Sequence, residues 1–134
     1  MSRKTARENL FKLVYEFVST EKMNQLSLQA LTAGMSENDL SYVEEMYIGI
    51  ISKYDELIEL IDKYAVDFSA SRIFRVDLSI MLVSAYEILY RKDIPFQVSV
   101  NEALEISKIY STEKSTSFIN GVLSKIIAEK KENL

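Results

Sequence analysis

Three cations stand close together near the start of the chain, Arg3, Lys4 and Arg7, with Lys12 following and Glu8 alone opposing them. Side chains of this kind pair with phosphate oxygens. One exposed pair is worth little, but several converging on a phosphate backbone give a salt-dependent affinity. Tyr15 lies a few residues further on. Its ring offers a face for an unstacked base, a contact worth roughly 1–3 kcal/mol per base, and it equally suits the edge of a core. Helix stability alone argues against this opening, because the macrodipole disfavours each exposed cation in a first turn by roughly 0.3–1 kcal/mol. The basic start therefore points toward an anionic ligand.

Other chemistries find little support. With no Cys and no His, disulfides, thiolate nucleophiles, Ser-His relays and the common zinc sites are excluded. Glu44 and Glu45 are adjacent and diverge on a helix, whereas Asp55 and Glu56 sit about one turn from Glu59. Such pairs lack the histidines and inward acidic motif of di-iron bundles. Neither catalysis nor a cofactor or resident metal is expected.

The net charge of −4 is unevenly spread. Nine acidic residues against Lys53 and Lys63 lie between Glu37 and Asp67, leaving the rest of the chain at +3. Phosphate responds to local potential, so a small basic end can work on an acidic protein. No run of about 18 apolar residues exists, and no hydrophobic segment follows the basic start. A cytoplasmic protein without a membrane partner is expected.

The elements that must carry these residues read as helices. A supply of 3 Gly and 1 Pro in 134 residues builds few turns, and one domain spanning residues 1–134 is expected. Ala6, Leu10, Leu13, Val14 and Phe17 make one stripe on a helix from about Arg3 to Ser19. Leu26 to Leu31 gives a short helix ended by Gly34. Ser36 with Asp39 reads as a capping box opening one long helix, its seam running Leu40, Val43, Tyr47, Ile50, Tyr54, Leu57, Ile61, Tyr64.

A fourth helix from about Arg75 to Arg91 is apolar nearly all round, so it must be central, and Glu87 within it needs a partner. Pro95 stops it. Ser99 with Glu102 reads as a second capping box, opening a helix to about Tyr110. The last helix begins near Ser115, with Phe118, Ile119, Val122, Leu123, Ile126 and Ile127 on its stripe and Gly121 permitting close approach. The fold class is all-α, with six helices expected.

Several of these segments together resemble the NusB family. The match runs through Ala6-Arg7-Glu8 and Tyr15, then Arg75 and Ala85-Tyr86-Glu87-Ile88-Leu89. It continues through Asp93-Ile94-Pro95, Val100-Asn101-Glu102-Ala103 and Phe118-Ile119-Asn120-Gly121-Val122-Leu123, in order and spacing, over about Arg3 to Lys125. The resemblance implies two perpendicular three-helix bundles and a transcription antitermination factor. Its implied ligand is boxA-type single-stranded RNA. Its implied partners are NusE, which doubles as a small-subunit ribosomal protein, and the transcription elongation complex, chiefly on ribosomal RNA operons.

The resemblance assigns Arg3, Lys4 and Arg7 to phosphates, although Lys4 and Thr5 stand where arginine is common in the family. Tyr15 would stack on a base. Phe118 matches a position near the RNA path and also falls on an apolar stripe, while Asn120 and Gly121 equally fit structural roles. Lys114 departs from an acidic residue found in some members, and would add attraction for RNA or alter the partner's surface. Asp77 is placed near the partner-binding face.

The same helices resemble the N-terminal region of certain ribosomal RNA cytosine methyltransferases, whose larger catalytic domain is absent from this sequence. The alternative is a helical protein-interaction module, or a homodimer through the N-terminal helix, without RNA specificity. A DNA-binding regulator would need an exposed basic recognition helix, which no segment beyond the N-terminus offers.

Overall fold

Local capping chemistry sets where most helices begin. The computed structural model describes residues 2–66 and 72–133, and Asp67 of the acidic stretch lies outside them. Seven helices form among the described residues, confirming the all-α class and correcting the number. Helix α1 (Arg3–Thr20) starts where Ser2 Oγ accepts from the Thr5 amide, and buries Ala6, Leu10, Leu13 and Val14 as its stripe requires. Helix α2 (Gln25–Thr32) is capped by Asn24, and Gly34 takes a φ of 80° in the turn after it. Ser36 Oγ accepts from the Asp39 amide to open α3 (Glu37–Ser52).

The expected long helix breaks at Lys53, whose φ of −107° and ψ of 16° leave the helical region, and α4 (Tyr54–Tyr64) follows. The break re-aims one apolar seam. Tyr42, Val43, Met46, Tyr47 and Ile50 are buried in α3, which lies against α1 and α5. Leu57 and Ile61 are buried in α4, which lies against α5 and α7. Neither Gly nor Pro stands at the break to announce it.

Helix α5 (Arg75–Tyr90) is buried on nearly every side and touches α1, α3, α4, α6 and α7. Its interior hydroxyls are satisfied locally, Ser79 donating to the Arg75 carbonyl at 2.6 Å and Ser84 to that of Ile80 at 2.9 Å. Helix α6 (Phe96–Tyr110) begins directly after Pro95. Ser99 is therefore no cap. It sits within the first turn and points into the core. Helix α7 (Glu113–Glu132) begins slightly before the expected Ser115, where Thr112 Oγ1 accepts from the Ser115 amide.

Contacts sort the helices into two groups of three, α1–α3 and α5–α7, joined by α1 and α3 against α5, with α4 bridging to α7. One apolar cluster runs through both. Among the described residues, no helix is long and apolar enough to cross a membrane.

The close-approach glycine is not Gly121, which is exposed and would meet nothing within 4 Å if it carried a methyl. It is Gly49, where a methyl would overlap the Tyr86 ring of α5. That ring is backed by Tyr90, centroids 4.8 Å apart, so it has little room to retreat. Gly49→Ala should therefore lower stability by about 1–3 kcal/mol, despite the better helix propensity of alanine. Urea unfolding should show a lower midpoint with an unchanged slope.

Candidate nucleic-acid interface

Position 7 falls between the buried Ala6 and Leu10 on α1, so its side chain is carried toward α5 rather than toward solvent. Arg7 is 5% exposed, and Glu87 is 1% exposed. Arg7 Nε donates to Glu87 Oε2 at 2.8 Å, the Tyr42 hydroxyl donates to the same oxygen, and Ser99 Oγ donates to Oε1 at 2.7 Å. Glu102 Oε1 adds a longer contact to Arg7 Nη1 at 3.9 Å. Glu87 thus has the partners its burial demands, from α1, α3 and α6.

Burial opposes the charge on Arg7, but Tyr42 and Glu87 more than offset it and raise its pKa above the usual value. Burial first, and then the Glu87 carboxylate, push the Tyr42 phenol far above its ordinary range. The expectation that Arg7 meets phosphate is not supported by this placement, since a guanidinium committed inside the core cannot turn outward without stranding Glu87.

Arg3 takes the outer face of the same cluster. Its guanidinium carbon lies 4.2 Å from the Tyr42 ring centroid, and its Nε donates to Asp39 Oδ1 at 2.9 Å. Its side chain keeps 31% exposure. Arg91 stands on the ring too, 5.5 Å from the centroid, and is paired with Asp93 and Glu45. The Arg91 hydrogen bond holds the Asp93 carboxyl below the usual range, with Arg3 adding to the effect.

Lys4, Glu8, Lys12 and Tyr15 recur every three or four residues along α1 and share one outer face. Lys4 and Lys12 are exposed, and Tyr15 is 40% exposed. Beside this face stands Tyr110, at the end of α6. Its hydroxyl donates to Glu8 Oε1 at 2.6 Å, and its ring lies 5.2 Å from that of Phe11. In the sequence Tyr110 reads only as the last residue of a helix. Its one signal was an aromatic left at a helix end, too weak to mark a surface.

Tyr110 leads directly into the α6–α7 junction, and there three of the remaining candidates gather. Lys114, Phe118 and Asp77 line one cleft of about 810 Å³, together with Arg72, Phe74 and Thr112. Lys114 is exposed and Phe118 half-buried. Phe74, 67% exposed, adds a second ring that sequence reading missed. Asp77 does not present its charge: it is 3% exposed, and it accepts from Ser111 Oγ at 2.6 Å. Asn120 lies exposed on α7, away from this cleft lining, and its carbonyl accepts from Ser124 Oγ. Among the described residues, no three acidic side chains converge as metal ligands would.

The NusB family profile matches residues 4–128 of the chain. The protein belongs to the NusB family. The transcription antitermination protein NusB of Ruminiclostridium cellulolyticum is 38% identical over 128 residues, covering 94% of this chain and 88% of that protein. The NusB of Listeria monocytogenes serotype 4a is 38% identical over 132 residues, covering 98% and 100%. Among solved structures, T. maritima NusB aligns with a TM-score of 0.86 at 27% identity, over 100% of this chain and 99% of that one. The fold is also that of a chain in a crystal structure of the antitermination factors NusB and NusE in complex with dsRNA. There the TM-score is 0.85 at 20% identity, over 95% and 96% of the two chains.

Within this NusB-family chain, Glu87→Ala should cost about 3–5 kcal/mol, because it leaves Arg7 charged in the interior with only the longer Glu102 contact. Glu87→Gln should cost less, since its amide oxygen can still accept. Chemical denaturation of both variants measures the order, and equal small losses would contradict the buried pairing.

Proposed function

We propose that this chain is a transcription antitermination factor that binds boxA-type single-stranded RNA together with NusE, chiefly on ribosomal RNA operons. The reading rests above all on its match to curated antitermination relatives along nearly their whole length. A fold neighbour seen with NusE and dsRNA adds support for that pairing of ligands. We take the RNA contacted here to be single-stranded because exposed rings such as Tyr15 and Tyr110 stack only on bases that are free of a duplex. The role is that of an adaptor in the elongation complex, without catalysis of its own, and the setting is the cytoplasm.

In this reading, the outer face of α1 holds the RNA backbone through Lys4 and Lys12, with Arg3 at its beginning and Tyr15 as a stacking face. Lys114, Phe118 and Asn120 extend the path onto α7. NusE docks on the C-terminal helices near the cleft, where Asp77 braces the wall rather than offering a charge. RNA and NusE each complete part of the other's site, so their binding is cooperative and reciprocal.

The test compares boxA-type with scrambled RNA, each with and without NusE. Preferential and NusE-enhanced retention of boxA is expected; equal weak binding in all four mixtures would defeat the proposal. Replacing Lys4 and Lys12 together with Ala should make the salt dependence of RNA binding shallower by roughly 0.7 per lost phosphate contact, with helicity unchanged.

A further inference from the structure

Of the three arginines around the Tyr42 ring, Arg3 alone is held in a way that leaves its working edge free. Arg7 is enclosed, and Arg91 spends Nε and both terminal nitrogens on Asp93 and Glu45. Arg3 uses only Nε, toward Asp39. Among the described residues, no hydrogen bond engages its two terminal nitrogens, and the neighbouring Asp93 carboxylate is already paired with Arg91. The guanidinium carbon sits 4.2 Å from the Tyr42 ring centroid.

The mount is itself fixed. The Tyr42 hydroxyl is tied to Glu87 in the core, and Tyr42 is 1% exposed. Asp39 is 8% exposed, and its amide is held by the Ser36 cap in the first turn of α3, where the helix dipole favours a carboxylate. An arginine carries about 2 kcal/mol of rotamer entropy, part of which is lost whenever its fork must be ordered to bind. Here the ring contact and the carboxylate together restrict the side chain before any ligand arrives. The two terminal nitrogens, on a side chain that is 31% exposed, are left for the oxygens of a phosphate, which such a fork engages through paired charge-assisted hydrogen bonds.

We propose that Asp39 is a positioning residue which, with the Tyr42 ring, presents the terminal edge of Arg3 to an RNA phosphate. This rests on the RNA-binding reading above. Asp39 works through Arg3 and does not touch the RNA. It also makes an acidic residue favourable for binding a polyanion, which charge alone would not suggest.

The test compares Asp39→Asn with Asp39→Ala, using poly-uridylate at low salt as the probe. Both remove the charge, but only Asn keeps an oxygen for Arg3 Nε. Poly-uridylate should bind the Ala variant about two- to fivefold more weakly than the Asn variant, the range of an exposed ion pair or hydrogen bond. The difference should vanish when Arg3 is also replaced with Ala. Equal affinities for the two variants, or a difference that survives without Arg3, would overturn the proposal.

The unmutated chain gives a second reading that needs no variant to fold. On titration with poly-uridylate, the NMR signals of the Arg3 terminal nitrogens should move while the Nε–H signal stays in place. Release of the Nε–H signal would mean that Asp39 competes with RNA instead of orienting Arg3, and no movement at all would equally refute the idea. Poly-uridylate carries no boxA sequence. A chain that passes this test yet does not prefer boxA over scrambled RNA would overturn the function proposed above and leave the role of Asp39 standing.

Discussion

A single buried carboxylate holds the arrangement of this molecule. Glu87 lies inside the most apolar helix of the chain and is met there by Arg7 from α1, Tyr42 from α3 and Ser99 from α6. Burying two opposite charges is not in itself a strong source of stability, because desolvation offsets much of their attraction. What it does is penalise every arrangement that separates them. Apolar surfaces of helices tolerate sliding and re-registration, whereas a carboxylate with three fixed donors tolerates very little. The pairing therefore restricts how α1 and α3 can sit against α5.

The position of the outer surface follows from that. With Arg7 turned inward, the face carrying Lys4, Glu8, Lys12 and Tyr15 is obliged to point outward, since those residues lie on other sides of the same helix. The contacts of Phe11 and Glu8 with Tyr110 then set α1 beside the junction of α6 and α7. The outer face of α1 and the junction that carries the cleft, far apart in sequence, are joined through one tyrosine. The acidic residues are concentrated on α3 and α4, so the basic opening of α1 is a local feature of a protein whose net charge is negative.

Much of the fold was legible from apolar spacing. The stripes of α1 and α7, the central placement of α5 and the demand of Glu87 for partners all follow from residue type and period. The break at Lys53 was hidden because the apolar seam continues across it without a change of period, and only tertiary packing on α7 distinguishes its two halves. A serine three residues before a glutamate suits a helix cap, yet the helix already begins after Pro95 and leaves the Ser99 hydroxyl free for Glu87. For the site, residue types suggested the chemistry but not which way each side chain points. Arg7 belongs to the basic opening by sequence and to the core by its place between Ala6 and Leu10.

The three arginines around Tyr42 make the same point in energetic form. Sequence offers them as equivalent cations, while the structure grades them by solvent access and by the number of nitrogens already bound. A guanidinium with all its neighbours satisfied in the interior contributes rigidity, because exchanging partners would expose Glu87 to desolvation without compensation. One bound along two edges at the rim, as Arg91 is, has little left to offer a ligand. One bound at a single edge and held against a ring has given up part of its freedom and still carries unused donors, so an incoming phosphate meets a smaller ordering cost. The aromatic ring that these side chains share is therefore where folding and ligand binding draw on the same contacts, and the division between them depends on geometry that composition does not encode.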